Sequence, residues 1–111
     1  MNYFTEYGYS QCYPYEVVRR VTEKTLEVRA MKVLPDPAWK PEFIVGEFAG
    51  RPAKRFAGHC VNQSEQTWIY ETDPGAPVKR VRLHKDGKWY FSGGGSGRLT
   101  EKPRYFYDYN F

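Results

Sequence analysis

Residues Val78 to Phe91 interleave cations and aromatic rings: Val-Lys-Arg-Val-Arg-Leu-His-Lys, then Asp86-Gly87, then Lys-Trp-Tyr-Phe. Asp-Gly between two alternating runs is the strongest short-range hairpin signal. A two-residue loop sets Lys85 opposite Lys88, His84 opposite Trp89, Leu83 opposite Tyr90 and Arg82 opposite Phe91, and opposed residues share a face. One face then carries Val81, Leu83 and Tyr90, and the other Arg80, Arg82, His84, Trp89 and Phe91. Guanidinium groups beside ring faces pair phosphates and stack bases, so the second face is a candidate nucleic-acid surface. Two alternatives stand against it. Arginine stems could cover the rings on a solvated face, or a bulged turn could shift the register and send both rings to the core.

Further binding candidates precede the hairpin. Trp39 is flanked by Pro35, Pro37 and Pro41, a stretch that is neither helix interior nor central strand. It is expected to pack back on the barrel or sheet, the alternative being an exposed ring for a partner. Arg51, Lys54 and Arg55 ride on a loop punctuated by Gly46, Gly50 and Gly58, within which Phe48-Ala49-Gly50 is echoed by Phe56-Ala57-Gly58.

Metal and nucleophile chemistry are poorly provided. Cys12, His59, Cys60 and His84 are the soft ligands, and no Cys-x-x-Cys pairing is present, so no metal site is expected. On a strand His59 and Cys60 point to opposite faces, which leaves His84 as the one base a Cys60 nucleophile could use. Free, buried, structural cysteines are the expectation. The run Gly93 to Gly97 before Arg98-Leu99-Thr100 lacks the Gly-Lys-Ser/Thr ending of a phosphate loop. With no convergent constellation and no cofactor motif, an enzyme is not expected.

The elements that must position these residues read as strands. The 111 residues include ten Tyr, seven Phe and three Trp, a composition that suits pleated surfaces better than helices. Tyr13, Tyr15 and Val17 alternate with Pro14, Glu16 and Val18, and Pro14 must lie at a strand start or an edge because it cannot donate to a ladder. Leu26, Val28 and Ala30 alternate in turn, after a tight turn at Glu23-Lys24 or, since Glu-Lys lacks the Gly or Asn of a primed two-residue turn, a longer loop. Phe43-Ile44-Val45 reads as a short buried strand, and residues 67–72 as a strand closed by Asp73-Pro74-Gly75. Residues 1–11 read as a tail or edge strand, 93–97 as a flexible glycine segment, and 104–111 as a docked aromatic tail. One all-β domain over 1–111 is expected, a partly closed barrel of five to seven short antiparallel strands, SH3-like or OB-like.

The net charge of +4 lies in the second half. Residues 1–47 hold six Lys/Arg and seven Asp/Glu, and residues 51–111 hold eleven and six. An anionic partner is one reading of that asymmetry and ordinary solubilising charge is the other. No apolar run approaches the roughly 20 residues of a membrane helix, and the chain is read as cytoplasmic, without a membrane partner.

Taken together, Tyr13-Pro14-Tyr15-Glu16-Val17-Val18, the hairpin Leu83-His84-Lys85-Asp86-Gly87-Lys88-Trp89 and the ending Tyr107-Asp108-Tyr109-Asn110-Phe111 resemble a group of small uncharacterised phage and prophage proteins. The resemblance implies viral origin, a compact β-fold, the host cytoplasm as the place of action, and a host protein, such as a defence factor, as the partner. The leading expectation is therefore a non-enzymatic binding protein directed at a host protein. A nucleic-acid-binding module is the alternative, and edge pairing into a homodimer is left open.

Overall fold

The computed structural model describes residues 1–44, 47–48, 51–52 and 59–110. In chain order the strands are β1 (Tyr3–Tyr7), β2 (Cys12–Thr22), β3 (Thr25–Ala30), β4 (Lys32–Pro35), β5 (Phe43–Ile44), β6 (Glu47–Phe48), β7 (Arg51–Pro52), β8 (His59–Cys60), β9 (Trp68–Glu71), β10 (Val78–Leu83), β11 (Trp89–Phe91) and β12 (Ser96–Thr100). Six of them close an antiparallel barrel in the order β1-β12-β11-β10-β3-β2, with β2 returning to β1. The fold is all-β, and the barrel matches the strand alternation read from the sequence.

Between β3 and β10 the chain leaves the barrel wall and builds an arm of nested antiparallel pairs, β4 with β9, β5 with β8 and β6 with β7. The radius of gyration is 17.5 Å, against about 13 Å for a compact chain of this size. The extents of 60 × 30 × 22 Å give the same elongation.

Inward-pointing side chains fill the barrel. Phe4, Tyr15, Leu26, Val28, Val81 and Trp89 form the core, with Val17, Ala30, Leu83, Phe91 and Leu99 packed against it. Alternation accounts for most of this set: Leu26 and Val28 are buried while Glu27 and Arg29 face out. Phe4 stands edge-on to Tyr15 and to Phe91, at 6.0 and 5.7 Å between centroids, a geometry aromatic quadrupoles favour. Register shifts between Val17 and Arg19 and between Arg20 and Thr22 mark bulges in β2, which bend and twist a strand so that a small barrel can close. Gly97 is needed on β12, because a Cβ there would overlap the Thr5 carbonyl oxygen and reach within 2.7 Å of the Phe4 ring.

Several local expectations change. Residues 1–11 are neither a tail nor an edge, since β1 is paired on one side with β2 and on the other with β12, and Phe4 and Thr5 are fully buried. Pro14 sits at neither the first residue nor a free edge of β2. Its carbonyl accepts from the Met31 N–H at 3.1 Å, opposite a point where β3 has already ended, so the missing donor interrupts no long ladder. Phe43 is exposed rather than buried, and Val45 lies outside the described residues. Gly93 to Gly95 form the turn between β11 and β12, with Gly94 and Gly95 at φ 98° and 89°, a backbone region suited to glycine.

The aromatic tail is docked, and it docks chiefly on the arm. Phe106 exchanges backbone hydrogen bonds with Cys12 on the barrel. Beyond it, Gln66 pairs with both backbone groups of Tyr107, each at 2.9 Å, and Gln63 accepts from the Tyr109 N–H at 2.9 Å. Asn110 holds both backbone groups of Cys60, at 2.7 and 2.9 Å. Side-chain amides thus take the place of a partner strand. Tyr105 meets Trp68 edge-on at 4.9 Å, and Tyr109 lies 5.7 Å from Trp39. Of the two supports expected for Trp39, barrel or sheet, it takes the second, packing on Trp68 of the β4–β9 pair and on the tail because the prolines around it belong to the arm, and its Nε1 donates to the Asn62 carbonyl at 3.3 Å.

Candidate functional site on the outer barrel wall

The β10–β11 turn decides which residues face out. The His84 N–H donates to the Lys88 carbonyl at 2.9 Å and the Gly87 N–H to the His84 carbonyl at 3.0 Å. Gly87 has φ 83°. The loop is therefore Lys85-Asp86-Gly87, a three-residue turn with glycine in the left-handed position, and not the two-residue Asp-Gly loop. The register moves by one: Val81 pairs with Phe91, Arg82 with Tyr90 and Leu83 with Trp89.

This corrects the expected face. Trp89 and Phe91 point inward with Val81 and Leu83, and Trp89 is 7% exposed. Neither ring is available to a partner on the outer wall. Arg80, Arg82 and His84 do face out, joined there by Tyr90.

Strand pairing extends the outer face across the barrel. Arg82 pairs with Tyr90, Tyr90 with Ser96, and Ser96 with Tyr7, one row over four strands. In the next row, His84 lies against Lys88, and the register of β11 on β12 brings Lys88 to Arg98, which pairs with Thr5. Tyr7, Lys88, Ser96 and Arg98 line a shallow cavity of about 300 Å³. Adjacent strands are about 4.8 Å apart, so the cations stand within a few strand widths of one another.

Electrostatics separates the members. Arg80 is spoken for: its Nε donates to Glu27 at 3.3 Å, while Arg19 donates to the other oxygen of that carboxylate at 2.9 Å. These two bonds hold the Glu27 carboxyl below its ordinary range. Arg82, Lys88 and Arg98 make no ion pair among the described residues, whose salt bridges are Arg19–Glu27, Arg29–Glu16 and Arg80–Glu27. His84 lies 4.2 Å from Tyr90 between ring centroids, tilted by 37°. The Tyr90 hydroxyl donates to Asp86, and the Lys88 N–H donates to the same carboxylate at 2.9 Å. The Tyr90 bond lowers the Asp86 pKa and raises that of Tyr90. Tyr90 is thereby fixed in place, with one ring face toward His84.

The remaining candidates divide. Trp39 belongs to the arm, and of the basic loop only the backbone of Arg51 is described, in β7. Lys54 and Arg55 lie outside the described residues. Cys12 and Cys60 are buried free thiols. Burial raises the Cys12 pKa, with Arg104 opposing it. No group of three His, Cys, Asp or Glu among the described residues could hold a metal ion, and no helix among them is long and apolar enough to cross a membrane.

Sequence reasoning missed Tyr7, Lys88, Tyr90 and Arg98. The glycine at the third position of Lys85-Asp86-Gly87 was a usable signal for a three-residue loop, and that alone would have exchanged Trp89 for Tyr90. Nothing local joins Tyr7 and Arg98 to the hairpin, because their neighbourhood comes from barrel closure. No family model matches the chain, and neither a curated protein nor a solved structure matches it.

Proposed function

We propose that this protein is a non-enzymatic binding module whose outer barrel wall receives single-stranded nucleic acid. The observation that carries the reading is the set Arg82, Lys88 and Arg98, cations in no ion pair among the described residues, around the rings of Tyr90 and His84. Unpaired cations track a phosphate backbone, and exposed rings stack bases without sequence preference. The low ratio of acids to bases in residues 51–111 favours the same class of partner.

The test is fluorescence anisotropy of a labelled 12-nucleotide DNA strand at several salt concentrations. Three phosphate contacts correspond to a slope of about −2 in log affinity against log salt, a loss of roughly 20-fold between 50 and 200 mM. Arg82→Ala with Arg98→Ala should cut the slope to about −0.7. Binding that ignores salt, or survives the double substitution unchanged, removes the proposal.

A second reading, a protein of the host as partner, draws support from the arm. Leu34 lies opposite Ile69 on β4 and β9, and both side chains are exposed. Binding by this surface would depend on apolar contact and respond weakly to salt. Substituting Leu34 and Ile69 by Ser should then abolish capture of the partner while leaving oligonucleotide affinity as it was.

A further inference from the structure

Where barrel, arm and tail meet, a second cavity of about 370 Å³ opens, lined by Glu6, Tyr13, Tyr15, Met31, Val33 and Tyr105 among others. This is within the usual range of ligand pockets, which favour the mouths of β-barrels and the seams between structural units. Its chemistry differs from the rest of the molecule. In a chain of net charge +4, the lining holds one carboxylate and no cation.

Three tyrosines contribute to the lining, Tyr15 from the barrel core where its ring also packs on Phe4 and Phe91, and each is held by a partner of its own. Tyr13 and Tyr105 stand edge to face, 6.1 Å apart and inclined by 60°. The Tyr13 hydroxyl donates to Gln11 at 3.1 Å. Tyr105 is fixed by its N–H bond to the Tyr70 hydroxyl at 2.8 Å and by its ring contact with Trp68. Tyr15 donates to Glu6 Oε1 at 2.9 Å. Glu6 comes from β1, Tyr13 and Tyr15 from β2, and Tyr105 from the tail, so the site exists only in the folded chain.

We infer that this cavity is a cage for a quaternary ammonium group, carried either by a choline-type molecule or by a trimethylated lysine side chain. Ring faces present negative quadrupole charge to a cation, and the carboxylate adds a full charge. Methylation is favoured by what the lining lacks. A bare ammonium brings three N–H donors and a guanidinium five, while the one charged acceptor in the lining is Glu6, whose Oε1 already takes a bond from Tyr15. A quaternary ammonium requires no acceptor, and its methyl groups suit Met31, Val33 and the rings. Rings already held in place lose little entropy on binding.

The experiment is an NMR titration of the tyrosine ring resonances with three probes: choline, Nα-acetyl-Nε-trimethyllysine amide, and 3,3-dimethylbutan-1-ol, the uncharged counterpart of choline. At least one cationic probe should give saturable shifts at Tyr13, Tyr15 and Tyr105, the responding probe identifying the source, and the alcohol should bind at least tenfold more weakly. Glu6→Gln, nearly isosteric, should weaken binding at least tenfold. Tyr105→Phe should retain it, and Tyr105→Leu should lose it with the amide spectrum of β1 to β3 unchanged. The inference fails if neither cation shifts these rings saturably, if the alcohol binds as well as choline, or if Glu6→Gln leaves affinity intact.

Discussion

Trp89 and Tyr90 are neighbours in the chain and occupy opposite sides of the barrel wall, one in the core and the other beside Arg82. Their substitutions should separate accordingly. Trp89→Ala removes a buried ring and should lower unfolding free energy by about 3–5 kcal/mol in urea denaturation. Arg82→Ala lies on an exposed face and should stay within about 0.5 kcal/mol. Tyr15 supplies a pH-dependent counterpart. Burial and its bond to Glu6 raise its pKa in the folded protein. The folded state therefore binds more protons than the unfolded chain once pH exceeds the ordinary tyrosine value of about 10, and stability falls as pH rises. Below that pH the contribution is fully present. Alkaline denaturation followed by circular dichroism should show this loss, and Tyr15→Phe should reduce its dependence by about one proton.

At the scale of elements, alternation made the strands legible and turn geometry hid the site. Leu26, Val28 and Ala30 share one face, as do Tyr15 and Val17, and all five lie in or against the core, because a strand with one wet face writes its burial pattern into every second residue. Tyr13, in the same alternating set, is exposed. The Thr22 and Thr25 pairing bears out the tight turn at Glu23-Lys24. The hairpin from Val78 to Phe91 was visible too, but its loop length was not settled by Asp-Gly, and one residue of register exchanges the two faces entirely. Residues 1–11 read as a tail or edge strand because Tyr3, Phe4, Tyr7 and Tyr9 show no clear helical period. The position of β1 follows from pairing with β12, ninety residues away. Gly97 in β12 and Gly93 in the turn before it allow a direct check. Gly97→Ala should destabilise by about 1–3 kcal/mol or more, since its methyl meets backbone and the Phe4 ring. Gly93→Ala meets nothing within 4 Å at ordinary φ, and thermal melting should hardly change.

At the scale of the molecule, the arm and tail form one mutually supporting unit appended to a closed barrel. The amides of Gln63, Gln66 and Asn110 bind the tail's backbone while Tyr105 and Tyr109 cover Trp68 and Trp39. Truncation after Pro103 should therefore shift tryptophan emission to the red and remove hydrogen-exchange protection from β9, while β10 to β12 keep theirs. That the last residues would dock was legible from their aromatic density, but that they dock chiefly on an arm was not, since the arm's partner strands are separated by long stretches of chain. The barrel presents Arg82, Lys88 and Arg98 on a different surface from the tyrosine cage, which is why the two can be probed independently. The outer wall is tested most directly by amide chemical-shift mapping with an unlabelled 12-nucleotide strand. Shifts should centre on Tyr7, Arg82, His84, Lys88, Tyr90 and Arg98; a footprint confined to the arm, or none at saturating oligonucleotide, would contradict it.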